Sequence, residues 1–398
     1  MMTEQKKNNT EYDIMFKDIV VGKINTADGS ASIENSFMPI DLNFKIAPQT
    51  IEDRVANVSA FKDWCASRTL MMSQKHAKKI CNALNLSQDI GTENKAGIAL
   101  AYHCSTLQDC YWVRQTGSEL EYKDVSLFQN TSRNILTPVS LRGELGSVFT
   151  KKLKNWSDIG ADGTLAKSWI REDGEYRLYK TGDNIDGEVL ASDILSLMGA
   201  NSIHYMKKED EGLEVSVCPC FTNEDVSFIP YRTFAKALGL DAITYIKDNF
   251  LSEYANLVVA TYLTGNEDLH DKNWGIAIDN NTGKISGLAP LFDFDGCFLY
   301  YESSKNMKFL PECIFVTEDG EKLAYNDWTM EDYEIEGPTI EEAALKYAKY
   351  ATLDYKGLSL NVIPEKYRDE FERRVNTLER QISLMHEKDT EKDIVELD

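Results

Sequence analysis

Residues 265–296 have the sequence GNEDLHDKNWGIAIDNNTGKISGLAPLFDFDG, and the expected fold follows from them. They come directly after an apolar run with helical spacing. Two strand-like runs, residues 273–279 and 287–293, are separated by the turn sequence DNNTG. This pattern predicts a polar loop after a helix and then a short hairpin, which would bring Asn273 and Asp293 to one mouth.

Three oxygen-bearing side chains in these residues have the spacing of a phosphoryl-transfer site. Asp268 and Asn273 are five positions apart, as are the catalytic aspartate and the metal-binding asparagine of protein-kinase catalytic loops. Asp293 follows twenty residues after Asn273. Phosphoryl transfer needs an aspartate that accepts the proton of the attacking hydroxyl and oxygen ligands that hold Mg²⁺ against the nucleotide phosphates. Each residue alone also fits a surface aspartate or a capping asparagine, and their joint occurrence favours the catalytic interpretation.

Two upstream residues fit the nucleotide side of such a site. Lys180 ends the strand-like run YRLYK, and Glu188 lies in the helix predicted for residues 186–199. A strand lysine that is held by a helix glutamate can place its ammonium group against the α and β phosphates. Lysine and glutamate pairs are also common surface charges, so this pair supports the site only together with the downstream residues.

A glycine-bearing loop, GADGTLAK, precedes that strand and contains Gly160, Gly163 and Lys167. Glycines allow the backbone N–H groups of such a loop to approach phosphates closely. A plain hairpin turn is the alternative interpretation, and the loop sequence alone leaves it open.

The runs GNEDLHDKNWG and LAPLFDFD resemble the signature of HipA-like serine/threonine kinases, the toxin kinases of bacterial toxin–antitoxin systems. The match is specific over residues 265–295, weaker over 160–263 and faint before residue 150. This resemblance implies a two-lobed α+β kinase fold with a β-rich N-terminal lobe and a mainly α-helical C-terminal lobe. It also implies ATP and Mg²⁺ as cofactors and phosphate transfer to Ser or Thr of a protein.

The resemblance implies a role for each matched residue. Asp268 would be the catalytic base, Asn273 and Asp293 the Mg²⁺ ligands, and Lys180 the phosphate-binding lysine, with residues 160–167 covering the phosphates. Glu188 would hold that lysine.

The family also implies partners. These are a protein substrate, which in the family can be a translation factor such as an aminoacyl-tRNA synthetase, and a HipB-like DNA-binding antitoxin. No feature of this sequence selects a particular substrate or establishes an antitoxin.

One departure concerns a serine that some HipA-like kinases phosphorylate on themselves. The alignment places Gly160 near that position, and the nearest hydroxyl groups belong to Ser157, Thr164 and Ser168. Self-inactivation by that route is therefore not expected here.

Two other residues near the motif have competing interpretations. His270 is interpreted as a donor that braces the loop, with metal ligation as the alternative. Asp295 could replace Asp293 as the metal ligand, because alternation along a strand would put both on one face. The family motif favours Asp293.

The chain is divided into three expected parts. Residues 1–150 would form a β-rich subdomain, residues 151–230 the N-lobe and residues 231–398 the helical C-lobe. The carboxylate-rich residues 312–342 are interpreted as a solvated loop or insertion, followed by a helix that opens with a capping box at Thr339. Strands are further predicted at 12–23 and 107–113, and helices at 60–86, 231–238, 241–250, 252–263 and 364–387.

Composition excludes several classes of protein. The 398 residues include 43 Lys and Arg and 65 Asp and Glu, which gives a net charge of −22. This acidic balance argues against direct binding to nucleic acid or to an anionic membrane. No signal peptide and no membrane-spanning run is apparent, so a cytoplasmic protein is expected. The eight cysteines have irregular spacing, and Cys218 and Cys220 are too close for an ordinary zinc site, so reduced, packed thiols are expected.

Two other functions fit the same motif. One is a small-molecule kinase of the aminoglycoside or choline phosphotransferase type, for which an acidic surface would suit a cationic substrate. The other is a catalytically silent kinase-fold protein that binds a partner.

Overall fold

The structure is a computed structural model that describes residues 10–46, 49–84, 86, 88, 91–130, 136–144, 163–326 and 333–395, with side chains up to 387. The chain divides into two compact units. The first contains Met1–Thr181, Cys220–Phe228 and Ile278–Lys284, and the second contains Gly182–Pro219, Ile229–Ala277 and Ile285–Asp398.

Both units contain helices and strands. The strands are β1 (Glu11–Phe16), β2 (Ile19–Asn25), β3 (Ala31–Ile33), β4 (Tyr111–Gln115), β5 (Lys167–Glu172), β6 (Glu175–Lys180), β7 (Met206–Asp210), β8 (Leu213–Pro219), β9 (Val226–Pro230), β10 (Gly275–Asp279), β11 (Lys284–Leu288), β12 (Ile314–Val316), β13 (Lys322–Leu323) and β14 (Glu334–Glu336). The α-helices are α1 (Ile51–Ser67), α2 (Ala77–Ala83), α3 (Thr92–Ala101), α4 (Tyr122–Val125), α5 (Thr137–Arg142), α6 (Ile185–Leu197), α7 (Tyr231–Leu238), α8 (Asp241–Thr264), α9 (Tyr301–Ser304), α10 (Ile340–Tyr347) and α11 (Glu365–Val395).

The first unit contains an antiparallel sheet in the order β3-β2-β1-β4. The predicted strand, turn and return strand at residues 12–23 are confirmed by β1 and β2. The predicted strand at 107–113 is confirmed only at its end, since β4 starts at Tyr111. The helix predicted over 60–86 is interrupted between α1 and α2, and α1 begins earlier, at a capping box formed by Thr50 and Asp53.

Strand β6 confirms the strand-like run that ends at Lys180, and β5 pairs with it as a hairpin. Asp173 and Gly174 both have positive φ, 51° and 89°, as a tight hairpin turn requires. The register places Lys167 directly opposite Lys180. Opposed residues of an antiparallel pair share one face of the sheet, so the two lysines lie side by side.

Helices dominate the second unit, as predicted. Helix α6 is followed by Gly199 with φ 74°, the predicted stop signal. Helix α7 has the predicted bounds. The two helices predicted at 241–250 and 252–263 are confirmed as the two parts of α8, which meet at a kink at Phe250, where φ is −137°.

The terminal helix is fixed to α8 by a buried arginine. Arg374 of α11 is fully buried and donates hydrogen bonds to the carbonyl oxygens of Tyr262 and Tyr301. Its guanidinium also lies 4.2 Å from the centroid of the Tyr301 ring. Glu370 accepts a hydrogen bond of 2.9 Å from the same side chain. The helix predicted at 364–387 is confirmed, with Glu365 as its first residue.

The prediction of a solvated loop over 312–342 is wrong in part. Strands β12, β13 and β14 form a small antiparallel sheet there, with β12 in the middle. Phe315 of β12 is buried and its ring contacts that of Tyr333, so apolar side chains between the carboxylates hold the strands together. The capping box at Thr339 is confirmed as the start of α10.

The predicted α+β class and its reduced cysteines are confirmed. Strands precede a mainly helical second half, and two compact units agree with a two-lobed fold. All eight cysteines are free, and seven of them are buried. No helix among the described residues is sufficiently long and apolar to cross a membrane. The three parts predicted at 1–150, 151–230 and 231–398 stay a prediction.

Candidate active site

The loop that carries the motif begins at a left-handed glycine. Gly265 caps α8 with φ 64°. A Cβ atom at this position would lie 2.5 Å from a ring carbon of Tyr301 and 2.9 Å from the hydroxyl oxygen of Ser304. Only glycine meets both the backbone and the space requirement here, which explains the sharp turn from helix into loop.

The backbone around Asp268 is fixed by its neighbours in the motif. The side-chain oxygen of Asn266 accepts the N–H of Asp268 at 3.1 Å. The carbonyl oxygen of Asp268 accepts from the N–H of His270 at 2.8 Å and from the side-chain amide of Asn273 at 3.1 Å. Asn266 and Asn273 are buried, whereas the Asp268 side chain is exposed. The loop therefore presents one carboxylate outward from an ordered backbone.

These hydrogen bonds also orient the Asn273 amide. Its nitrogen is committed to the carbonyl oxygen of Asp268, which leaves the amide oxygen as the group available to a cation. Amide and carboxylate oxygens are the ligands that Mg²⁺ prefers.

Asp271 anchors the loop from its inner side. Its two carboxylate oxygens accept hydrogen bonds from Nη2 and Nε of Arg232 at 2.8 and 2.9 Å, a bidentate pair. The backbone N–H of Arg232 also donates to the carbonyl oxygen of Asp271 at 2.7 Å, and the N–H of Asn326 reaches the carboxylate at 3.3 Å. The motif thus contains one carboxylate that faces outward and one that anchors.

His270 braces the loop, although not as the predicted donor. Its Nδ1 atom accepts the backbone N–H of Lys272 at 3.2 Å, and its carbonyl oxygen accepts the N–H of Asn273 at 3.0 Å. The ring is therefore an acceptor within its own turn, which fits a structural role. Within the described ranges, no group of three or more His, Cys, Asp or Glu side chains is placed to hold a metal ion.

The hairpin after the loop exists, but Asp293 does not lie on its strand. β11 ends at Leu288, and Asp293 has a left-handed backbone with φ 61°. The predicted strand at 287–293 is therefore wrong in its second half. Because a left-handed residue interrupts the extended backbone there, strand alternation does not relate Asp293 to Asp295, and the same-face argument fails.

Backbone contacts hold the segment around Asp293 in the second unit. The N–H of Ile203 donates to the carbonyl oxygen of Leu291 at 2.8 Å, and the N–H of Leu291 donates to that of Asn201 at 2.8 Å. Asn184, at the start of α6, donates its side-chain amide to the carbonyl oxygens of Asp295 and Cys297, both at 2.8 Å.

Gly296 brings this segment against the loop. A Cβ atom at Gly296 would lie 2.9 Å from both the Cβ and the N atom of Asp268, and 2.8 Å from the side-chain oxygen of Asn266. Asn273 and Phe294 line one small cavity together with Asn266. The structure therefore brings Asp268, Asn273 and the segment that contains Asp293 together.

Glu188 of α6 belongs to the same neighbourhood. Burial is the main cause of a raised pKa at the Cys297 thiol, which a hydrogen bond with Thr264 partly offsets. The negative charges of Asp295, Glu188 and Asp293 raise the pKa of this thiol further.

The predicted nucleotide-side lysines lie in the first unit. Lys167 and Lys180 are only 7% and 4% exposed. Gly163 has φ 111°, and the nearest atom to a Cβ there would be the Lys167 ammonium nitrogen. Gly160 and Ser157 lie outside the described residues. Ser168 is buried and forms a hydrogen bond of 3.2 Å with the hydroxyl of Thr137.

Three residues of this neighbourhood escaped the sequence interpretation. Asp271 stands inside the motif, and a second acidic residue beside an expected catalytic aspartate was a usable signal. Gly296 directly follows FDFD, which also marked it. Tyr205 is far from Asp293 in the sequence, and no local pattern indicated their contact.

No protein-family model matches the chain, and no curated protein matches it. Among solved structures, it is similar to the proinflammatory kinase CtkA of Helicobacter pylori, with 17% identity over 57% of this chain and 95% of that one, at a TM-score of 0.37. It is also similar to HipA of Shewanella oneidensis MR-1, solved with HipB and its operator DNA, with 12% identity over 93% of this chain and 88% of that one, at a TM-score of 0.47. The chain is thus similar to a HipA protein, as the motif indicated. With TM-scores below 0.5, neither likeness identifies a reaction, a substrate or a partner.

Proposed function

We propose that this chain is an ATP- and Mg²⁺-dependent kinase of the HipA-like type that phosphorylates Ser or Thr of a protein. The observation that supports this best is the 265–296 arrangement. The exposed Asp268 carboxylate lies on an ordered loop, and a hydrogen bond to that loop orients the Asn273 amide. The segment of Asp293 packs against the same loop at Gly296.

Asp268 is proposed to orient the attacking hydroxyl and accept its proton. A general base must reach its substrate, and an exposed carboxylate on a rigid backbone meets that requirement. The hydrogen bonds of its backbone N–H and carbonyl oxygen fix the position of the backbone that carries this carboxylate.

Asn273 and Asp293 are the residues that would hold Mg²⁺. Mg²⁺ is usually held by one or two carboxylates together with substrate phosphates and water, so the small number of protein ligands fits this ion. When bound, Mg²⁺ neutralises charge on the transferring phosphoryl group.

The nucleotide side is assigned to Lys180 and Lys167, with Gly163 in the covering loop. The two lysines share one face of the β5–β6 hairpin, and their adjacent positive charges suit a polyphosphate. Glu188 is proposed to hold Lys180, and Gly160 would continue the cover.

A radioactive phosphate-transfer assay tests this proposal. Purified chain with Mg²⁺ and labelled ATP should phosphorylate protein, whereas Asp268→Asn and Asp293→Asn should each lower the rate at least a hundredfold. Asp248→Asn is the matched control, because Asp248 is an exposed aspartate on α8 of the same unit, and it should act as the wild type does. Undiminished transfer by both site variants would overturn the assignment.

The two alternative functions have their own readouts. Turnover of aminoglycosides or choline without any protein phosphorylation would favour the small-molecule kinase. Absence of thermal stabilisation by millimolar ATP and Mg²⁺ would favour the silent binding protein, because a ligand that binds the native state raises its stability by mass action.

The protein substrate and the HipB-like partner are also proposals. Phosphoproteomics after expression of the wild type and of Asp268→Asn would identify the target. The HipB-like partner would be sought by co-purification with the product of the neighbouring open reading frame. With a net charge of −22 on this chain, such a partner would have to provide the basic DNA-binding face itself.

A further inference from the structure

Tyr205 lies between α6 and the segment that carries Asp293. It is 4% exposed, and its backbone N–H donates to the hydroxyl oxygen of Ser192 at 3.1 Å. Ser192 is fully buried in α6, one helical turn after Glu188. The backbone of Tyr205 is therefore fixed to the same helix that carries Glu188.

The Tyr205 hydroxyl reaches the backbone of Asp293. It accepts the N–H of Asp293 at 3.0 Å, and the Tyr205 ring meets the ring of Phe294 edge-on, with centroids 5.5 Å apart. Asp293 has φ 61°, a conformation that costs free energy for a residue with a side chain and persists only where the surroundings impose it. The hydroxyl and the ring contact are two such constraints.

The Tyr205 hydroxyl oxygen is the acceptor in the contact with the Asp293 N–H. A protonated phenol can accept the Asp293 N–H and also has a proton to donate. It can therefore link two groups, where a phenylalanine ring at this place could only pack.

We propose that Tyr205 is a positioning residue, whose hydroxyl holds the backbone of Asp293 at a fixed place relative to α6 and so sets the direction of the Asp293 carboxylate. This inference rests on the proposed function, because it takes Asp293 as a metal ligand. Groups that orient a metal ligand by hydrogen bonds typically change metal affinity by about 10- to 100-fold when removed.

Tyr254 provides a matched comparison within the same unit. Its side chain is fully buried, and its hydroxyl has no hydrogen-bond partner in the described part of the chain. The second unit thus tolerates a buried phenol that holds nothing. Tyr254→Phe removes the same atom as Tyr205→Phe without touching Asp293.

The test measures Mn²⁺ binding to the full chain with saturating ADP, by electron paramagnetic resonance of free Mn²⁺. Tyr205→Phe should raise the Mn²⁺ Kd about tenfold, while Tyr254→Phe leaves it within about twofold. Urea unfolding of both variants accompanies the binding data, because a purely structural role would move the unfolding midpoint and leave the Kd unchanged. Ser192→Ala frees the Tyr205 backbone and retains its hydroxyl, so it should also raise the Kd.

Asp293→Asn separates the two ways to fail. If Asp293→Asn binds Mn²⁺ as tightly as the wild type, the metal role in the proposed function is wrong. If Asp293→Asn binds weakly but Tyr205→Phe and Ser192→Ala both bind like Tyr254→Phe, the proposed function stands and the positioning role of Tyr205 is wrong.

Discussion

A buried ion pair in the first unit and the carboxylates that act on Cys297 in the second unit arrange charge differently. In the first unit, Arg68 is 7% exposed and meets Asp109 through two hydrogen bonds of 2.6 and 2.8 Å. The carbonyl oxygen of Cys104 accepts from the same guanidinium at 2.6 Å, and the group lies 4.7 Å from the centroid of the Trp64 ring. Each contact of this network is attractive.

The second unit gathers like charges instead. Glu188, Asp293 and Asp295 all raise the pKa of the buried Cys297 thiol, after burial itself. Asp293 also has a left-handed backbone. A left-handed backbone at a non-glycine residue and perturbed titratable groups occur often at binding sites. The first network is therefore the one expected to contribute most to stability, and the second is the candidate for chemistry.

Replacement of Arg68 should have the largest effect on stability. Arg68→Ala leaves Asp109 as a buried charge without its partner, so we expect a loss of about 3 to 5 kcal/mol in the free energy of unfolding. Chemical denaturation measures it. Arg68→Lys retains the charge but loses the planar fork, so it should lose less.

An exposed ion pair serves as the control for this prediction. Lys322 and Glu336 are 3.3 Å apart, with side chains about half exposed, and Lys322→Ala should cost less than about 1 kcal/mol. A similar cost for Arg68→Ala and Lys322→Ala would mean that the Arg68 network does not stabilise the first unit.

Asp271→Asn tests whether the candidate site also contains a stabilising network. The Arg232 side chain is 12% exposed and would lose one of its two charge-assisted hydrogen bonds, so a loss of about 2 kcal/mol is expected. Phosphate transfer should fall as well, because the loop that presents Asp268 is released on its inner side. Unchanged stability in chemical denaturation would contradict the anchoring role of Asp271.

The sequence predicted the helices of this chain better than the segments that connect its regular elements. Helices α6, α7 and α8 follow from apolar periodicity, and the loop at Asp268 follows from the motif GNEDLHDKNWG. The backbone of Asp293 could not be predicted from its neighbours, because an alternating run favours a strand. Its contact with Tyr205 and the bridge between Ser202 and Leu291 both come from residues distant in sequence. Likewise, the carboxylates between residues 312 and 342 led to the prediction of a solvated loop, whereas burial of Phe315 stabilises a small sheet there.

Gly296→Ala addresses the contact between the two halves of the candidate site. The added Cβ would lie 2.9 Å from the backbone N atom of Asp268, and backbone cannot yield as a flexible side chain can. We expect a loss of about 1 to 2 kcal/mol in stability together with a loss of phosphate transfer. Gly97→Ala is the control, because a Cβ there meets nothing within 4 Å. Full activity of Gly296→Ala would mean that the packing of these segments is not needed for transfer.

Glu267→Gln should produce the smallest effect, and with the opposite sign from the Arg68 variant. Burial and then the neighbouring charge of Asp268 raise the pKa of Glu267 above its ordinary value of 4.5. Between that value and the raised pKa, the native state holds more protons than the unfolded state, so the free energy of unfolding falls as pH rises through this window. Glutamine cannot ionise, so the variant should match the wild type in stability near pH 4 and exceed it at pH 7.

The gain at pH 7 should be roughly a few tenths of a kcal/mol, because solvent screens this partly exposed carboxylate. Urea denaturation of both proteins at the two pH values measures it, and every other titrating group cancels in the difference. A variant that is less stable than the wild type at pH 7 would show that Glu267 is stabilised by attraction, as Asp109 is. That result would mean that attraction, and not repulsion between like charges, dominates around Glu267, as it does around Arg68.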